Sequence, residues 1–145
     1  MVAYSFKQRF VKPIKAGLGM KVFAEPGDPP CAPKRQTIRA IGKRRHARAG
    51  ETLQLYTAMR TKRCQKIGEA ECFYVIPISI VVLKTKLKFP DFVIDADAFA
   101  RADGFDCAAD MHAFWLKEHG PGKFEGVLIR WEPQDADGQR TKPRV

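Results

Sequence analysis

The chain opens with Tyr4, Phe6 and Phe10 set apart by Lys7 and Arg9, which predicts a strand. Val11 to Ala16 then reads as a short helix that Gly17 ends. Arg35 to Ala40 has strand character, with Thr37 and Arg39 on one face and Gln36 and Ile38 on the other. Thr52 to Thr57 alternates cleanly and predicts another strand. Lys66 to Ile76 and Ile78 to Phe89 are two further β-rich stretches, separated at Pro77. Helical spacing appears late. Asp95 to Ala102 is a short helix capped by Asp95, and Asp106 to His119 a second, with Met111, Phe114 and Trp115 on one side. Gly120-Pro121-Gly122 stops it, and Phe124 to Trp131 returns as a closing strand.

Strands that follow one another so closely leave no room for crossover helices, so a mostly antiparallel sheet or small barrel is the economical arrangement, within an α+β class. Between the first helix and the Arg35 strand, residues 18–33 carry Gly19, Gly27, Pro26, Pro29, Pro30 and Pro33. That content excludes regular structure and predicts a long loop, placed to cover whatever follows it. The polar tail, residues 133–145, has no apolar side chain between Ala136 and Val145 and is expected to be disordered. One domain, residues 1–132, accounts for the rest of the 145 residues.

Charge changes this picture. The net charge is +10, and it is unevenly placed: residues 1–68 carry 16 Lys or Arg against 3 Asp or Glu, and residues 69–145 carry 10 against 13. A positive first half points to a polyanion such as RNA or DNA, because each phosphate neutralised releases a counterion. A solvated surface with no specific partner satisfies the same count. A membrane surface does not fit, since no apolar helical face follows Lys43 to Arg48. Cys31, Cys64, Cys72 and Cys107 form no C-x-x-C pair and read as free, mostly buried thiols. Met1 to Phe10 has no signal-peptide core and Tyr74 to Leu83 is too short to cross a bilayer, which makes a reducing, cytoplasmic setting the expectation.

Candidate chemistry lies in the most basic stretch, where Thr37 stands three residues after Lys34. A threonine hydroxyl becomes a nucleophile only when a base takes its proton, and lysine serves as that base only if burial or like charge lowers its pKa. An ordinary β-former beside a solvated lysine is the competing reading. Arg35, Arg39, Lys43, Arg44, Arg45 and Arg48, with Arg60 one strand later, suit phosphate oxygens, and Tyr56 between the clusters offers a stacking face. His46 among the arginines is a candidate acid or base for RNA cleavage. His112 and His119 lack the further ligands a metal site needs, so neither metal nor cofactor is expected.

Several short motifs occur in a telling order: Phe6-x-x-Arg9-Phe10, Ile14-x-Ala16-Gly17, Lys34-x-x-Thr37-Ile38-Arg39, Ala49-Gly50-Glu51-x-Leu53-x-Leu55-Tyr56, Asp103-Gly104-Phe105 and Phe124-x-Gly126-Val127-Leu128-Ile129-Arg130-Trp131. In this order and spacing the chain resembles an ASCH domain of the PUA-like superfamily, including members from phage and prophage genomes. The resemblance implies a small, mostly antiparallel β-barrel with flanking short helices and a cleft lined by the Lys-x-x-Thr strand. It implies RNA binding, ribonuclease activity, or a small amidohydrolase that deacylates N-acetylated cytidine. In the last case the lysine, threonine and acid fall on Lys34, Thr37 and Asp103. Two features depart from the family pattern: Asp103 stands where a glutamate is usual, and residues 18–33 are an insertion. RNA, a nucleotide or a nucleoside is thus the expected ligand, with a non-enzymatic module that binds a partner protein as the third reading.

Overall fold

A computed structural model describes residues 1–22, 26 and 31–133. It is a mixed α+β fold with one six-stranded sheet and three short α-helices. In chain order the elements are β1 (Val2–Phe6), a 3-10 turn (Gln8–Phe10), α1 (Val11–Gly17), β2 (Gln36–Ala40), β3 (Thr52–Thr57), β4 (Gln65–Val82), β5 (Leu87–Lys88), α2 (Ala96–Ala102), α3 (Ala108–His119) and β6 (Gly122–Pro133). The sheet runs β1-β3-β4-β6-β2, with β5 beside β4.

Four pairings are antiparallel, but β1 runs parallel to β3, a crossover that the strand spacing did not predict. The chain reaches β3 from β1 by way of α1 and β2, which makes the parallel pairing possible. Among the described residues no backbone ladder joins β1 to β2 at the two ends of the order, so the hydrogen-bonded sheet is not closed into a barrel.

Two sequence expectations change. The opening strand ends at Phe6 rather than Phe10, because Phe10 turns inward to meet Phe105 and Phe114 edge to face, with ring centroids 5.3 and 5.5 Å away. The two β-rich stretches on either side of Pro77 join in a single 18-residue strand that ends at Val82, and the remainder of the second turns back as β5. Pro77 is tolerated because β3 pairs only with Gln65 to Glu71; at Pro77, paired with Val127 of β6, one edge of β4 asks for no ladder donor.

The core is filled from both layers. Leu53, Leu55, Ile80, Leu128, Ile129 and Trp131 come from the sheet, and Ile14, Met111 and Phe105 from the helical side. Asp95 caps α2 by accepting from Ala98 N at 3.1 Å, as its position predicts. Gly120, at φ 73°, ends α3. Cys72 is buried, whereas Cys31 and Cys64 are exposed, on a loop and on the β3–β4 turn where no core forms around them. The loop expected over residues 18–33 has neither helix nor strand where it is described; residues 23–25 and 27–30, and the tail from residue 134, lie outside the described residues. No helix among the described residues is long and apolar enough to cross a membrane.

Candidate functional site

Lys34 and Arg35 enter β2 tied to three elements. Lys34 N donates to Pro13 O of α1 at 2.9 Å, Arg35 N to Ala102 O of α2 at 2.9 Å, and Arg35 O accepts from Trp131 N of β6 at 2.9 Å. The fit needs glycine at Gly17, where a Cβ would come 2.1 Å from Lys34 O. It also needs Gly104, whose φ is 94° and whose Cβ would meet Lys34 Cδ at 2.9 Å. The end of α2 therefore delivers Asp103, and a glycine directly after it makes room for the lysine side chain.

The result is a buried ion pair. Lys34 Nζ lies 3.6 Å from Asp103 Oδ1, with side chains 3% and 7% exposed, and it also donates to the Asp103 carbonyl. That carbonyl belongs to the last turn of a helix, which favours a cation there. The amine also sits over the Phe10 and Phe6 rings, 4.7 and 5.6 Å from their centroids. Burial pulls Lys34 down to about 8; Asp103 opposes this and Arg39 adds to it. Burial likewise pushes Asp103 up to about 6, against the pull of Lys34. Asp103 Oδ1 has no hydrogen-bond donor of its own among the described residues.

Arg39 completes the centre. Its Nε donates to Thr37 Oγ1 at 3.1 Å and its Nη2 to Ser5 O at 2.7 Å, so the guanidinium bridges β2 to β1 where the backbone ladder is absent. Its flat face lies 4.7 Å from the Phe6 centroid and 5.2 Å from that of Tyr4. Burial lowers its pKa, and among the described residues it has no ion-pair partner. A second bridge runs beside it: Tyr4 OH meets His46 Nδ1 at 3.0 Å and His46 Nε2 meets Ala40 O at 2.8 Å. Both ring nitrogens of His46 are thus engaged in bridging β1 to the end of β2.

Lys34, Thr37, Arg39 and Asp103 all line one cleft of about 300 Å³ between β1 and β2, walled by Phe6, Phe10, Phe105, Phe114, Trp115 and Phe124. Thr37 and Lys34 share the cleft, but the Thr37 hydroxyl is held by Arg39, and no hydrogen bond joins it to Lys34. Across the Arg39 bridge lies a second cavity, of about 380 Å³, lined by Arg39, Arg44, Arg45, His46 and Arg60. Four arginines picked from the sequence for phosphate therefore meet at one place, although Arg45 is engaged there by both Glu51 oxygens, at 2.6 and 2.8 Å.

Other residues considered for phosphate lie outside both cavities. Arg35 reaches Gly17 O at 3.1 Å and Glu132 at 3.8 Å; Lys43 and Arg48 are exposed on the loop before β3; Tyr56 is half-buried on β3. Sequence reading missed the aromatic walls. The signal was there: Lys7, Gln8 and Arg9 break the alternation between Phe6 and Phe10, which is helical spacing and turns both rings toward Lys34. His119, not expected to be a metal ligand, packs tilted against Trp115 on the cleft wall with ring centroids 4.5 Å apart, and no group of His, Cys, Asp or Glu among the described residues is arranged to hold a metal. Compared with protein-family models, with curated proteins and with solved structures, the chain matches none of them.

Proposed function

We propose that the cleft binds one nucleobase, as a nucleotide, a nucleoside or a residue of single-stranded RNA. The observation that carries this is the buried set of Lys34, Asp103 and Arg39 at the floor of an aromatic-walled cleft of about 300 Å³. A base presents flat π faces to rings and both donors and acceptors at its edge, which ask for an acceptor carboxylate beside amine and guanidinium donors. The volume lies at the small end of the ligand-pocket range of about 300–1,000 Å³, enough for one heterocycle and too small for a duplex. In the same reading the fold is a PUA-like barrel whose open seam between β1 and β2 is bridged by side chains, Arg39 to Ser5 O and Tyr4 through His46 to Ala40.

A second reading, an amidohydrolase acting on an N-acylated cytidine-type nucleoside, draws on the lowered Lys34 amine. Neutral Lys34 would take the Thr37 proton as Thr37 Oγ1 bonds to the acyl carbon. The C–N bond then breaks and the leaving amine receives that proton, with Arg39 facing the oxyanion; water, deprotonated in turn by Lys34, attacks the acyl-Thr37 ester, Thr37 Oγ1 regains the proton, and the carboxylic acid leaves. For this the Lys34 amine must turn from Asp103 toward Thr37.

Titration of the protein with each of the four ribonucleoside monophosphates, followed by Trp115 fluorescence, tests the binding reading. Saturable quenching is expected, with at least tenfold weaker binding in Arg39→Ala; no response to any nucleotide would sink it. Incubation with N-acetylcytidine tests the second reading, which equal turnover by wild type and Lys34→Ala would exclude.

A further inference from the structure

Three cavities meet at the end of β1. The cleft shares Ser5, Arg39 and Ala40 with the arginine-lined cavity on one side. On the other side it shares Ser5, Phe6 and Lys7 with a broad open groove of about 960 Å³ that also takes in Lys62, Arg63 and Gln65. The β3–β4 turn divides the cations between the two flanks. Ala58 and Arg60 hold φ of 54° and 65°, unusual for side chains other than glycine, and Met59 N donates to Ser5 Oγ at 3.3 Å. Arg60 consequently faces the arginine-lined cavity, and Lys62 and Arg63 face the open groove. Arg44, Arg60, Lys62 and Arg63 are all exposed, and among the described residues none of them is in an ion pair. Side chains held in this sparsely populated backbone region cluster at active sites, ligand clamps and switches.

We infer that these three cavities form one track for single-stranded nucleic acid, with one base inserted in the cleft and the sugar-phosphate chain leaving it both ways, toward Arg44 and Arg60 on one side and Lys62 and Arg63 on the other. This rests on the reading of the cleft as a base pocket and goes beyond it, because it selects the oligonucleotide among the ligands that reading admits and gives the flanking phosphates their own sites. The alternation is what selects this ligand: cations, then an aromatic pocket with an acid and two cations at its floor, then cations. It matches phosphate, base, phosphate. An acidic peptide would use the flanks and leave the aromatic walls uncovered. A duplex keeps its bases stacked and cannot fill the cleft without expelling one.

The test uses the full chain, a fluorescein-labelled mixed-sequence hexaribonucleotide, the same sequence as a duplex, and the four ribonucleoside monophosphates, each at several salt concentrations. The single strand is expected to bind at least tenfold more tightly than any monophosphate and more tightly than the duplex. In the variant Arg44→Gln/Arg60→Gln/Lys62→Gln/Arg63→Gln that ratio falls toward one, and the slope of log affinity against log salt shrinks by about 3, at roughly 0.7 for each phosphate left without its cation. Lys12→Gln/Lys84→Gln/Lys86→Gln/Lys88→Gln, which removes four exposed lysines outside the three cavities, matches the net charge and is expected to change neither. Monophosphate binding with no gain for the hexamer overturns the track and leaves the base pocket standing. Binding of neither overturns both. Equal binding of duplex and single strand, or an equal loss in the four-lysine control, overturns the track in favour of general attraction to charge.

Discussion

Lys34 Nζ and Asp103 Oδ1 stand 3.6 Å apart with both side chains almost wholly out of water, and each is displaced toward its neutral form by burial. Such a pair opposes folding at neutral pH. For Asp103, raised from 3.8 to about 6, the folded state binds the proton more tightly, so stability falls as pH rises across that interval. For Lys34, lowered from 10.5 to about 8, the unfolded state holds the proton more tightly, so stability recovers as pH rises from about 8 to 10.5. The pair's contribution is therefore least favourable between about 6 and 8. Urea unfolding across pH 4 to 10 is expected to show this dip in wild type and a flatter profile in Lys34→Met/Asp103→Leu.

At pH 7 the same double variant is expected to match wild type or exceed it by about 1–4 kcal/mol, since apolar groups need no desolvation of charge. Asp103→Leu alone behaves oppositely. It leaves the buried Lys34 amine with Arg39 and Arg9 as its charged neighbours, and a loss of about 3–5 kcal/mol is expected. Chemical denaturation of the single and double variants checks both signs. A double variant less stable than either single one would mean that the pair holds the fold together.

Gly104→Ala is expected to damage the site more than the fold. The left-handed backbone costs an alanine about 1–2 kcal/mol, and the new methyl presses on Lys34 Cδ, the part of the molecule that sets the distance to Asp103. Gly17→Ala should do the reverse, because its methyl meets the Lys34 carbonyl, which cannot swing away: overpacking there costs about 1–3 kcal/mol. Thermal melts with nucleotide titrations separate the two, with Gly104→Ala losing affinity at modest cost in stability and Gly17→Ala losing stability first.

How much of this was legible in the sequence depended on the range of the cause. The β3 strand, the Asp95 cap and the stop at Gly120 follow from neighbours in the chain, and reading them required nothing else. Lys34 and Asp103 are 69 residues apart, and what brings them together is the meeting of α1, α2 and β2, which no local pattern encodes. Lys34 and Thr37 stood out by their spacing in the most basic stretch and Asp103 through resemblance alone, and the structure puts all three on one cleft while giving the Thr37 hydroxyl to Arg39. The parallel β1–β3 pairing and the continuous β4 through Pro77 were illegible for the same reason. Each depends on which strand edge is left without a partner.

Arg39 is the last test, because it acts on charge and on the seam together. Its positive charge lowers Lys34, so Arg39→Met is expected to raise the Lys34 pKa, while loss of the Nη2 bond to Ser5 O removes one of the two side-chain bridges between β1 and β2 and leaves the seam to Tyr4, His46 and Ala40. Arg39→Lys keeps the charge but cannot reproduce the two bonds of the planar fork. The two variants therefore divide the effects. Both should speed amide hydrogen exchange at Ser5 and Phe6, whereas the Lys34 titration, followed through its side-chain nitrogen by NMR, should move upward in Arg39→Met and stay near its wild-type position in Arg39→Lys. An upward shift of the same size in both variants would show that opening of the seam to water, rather than the charge of Arg39, governs the lysine.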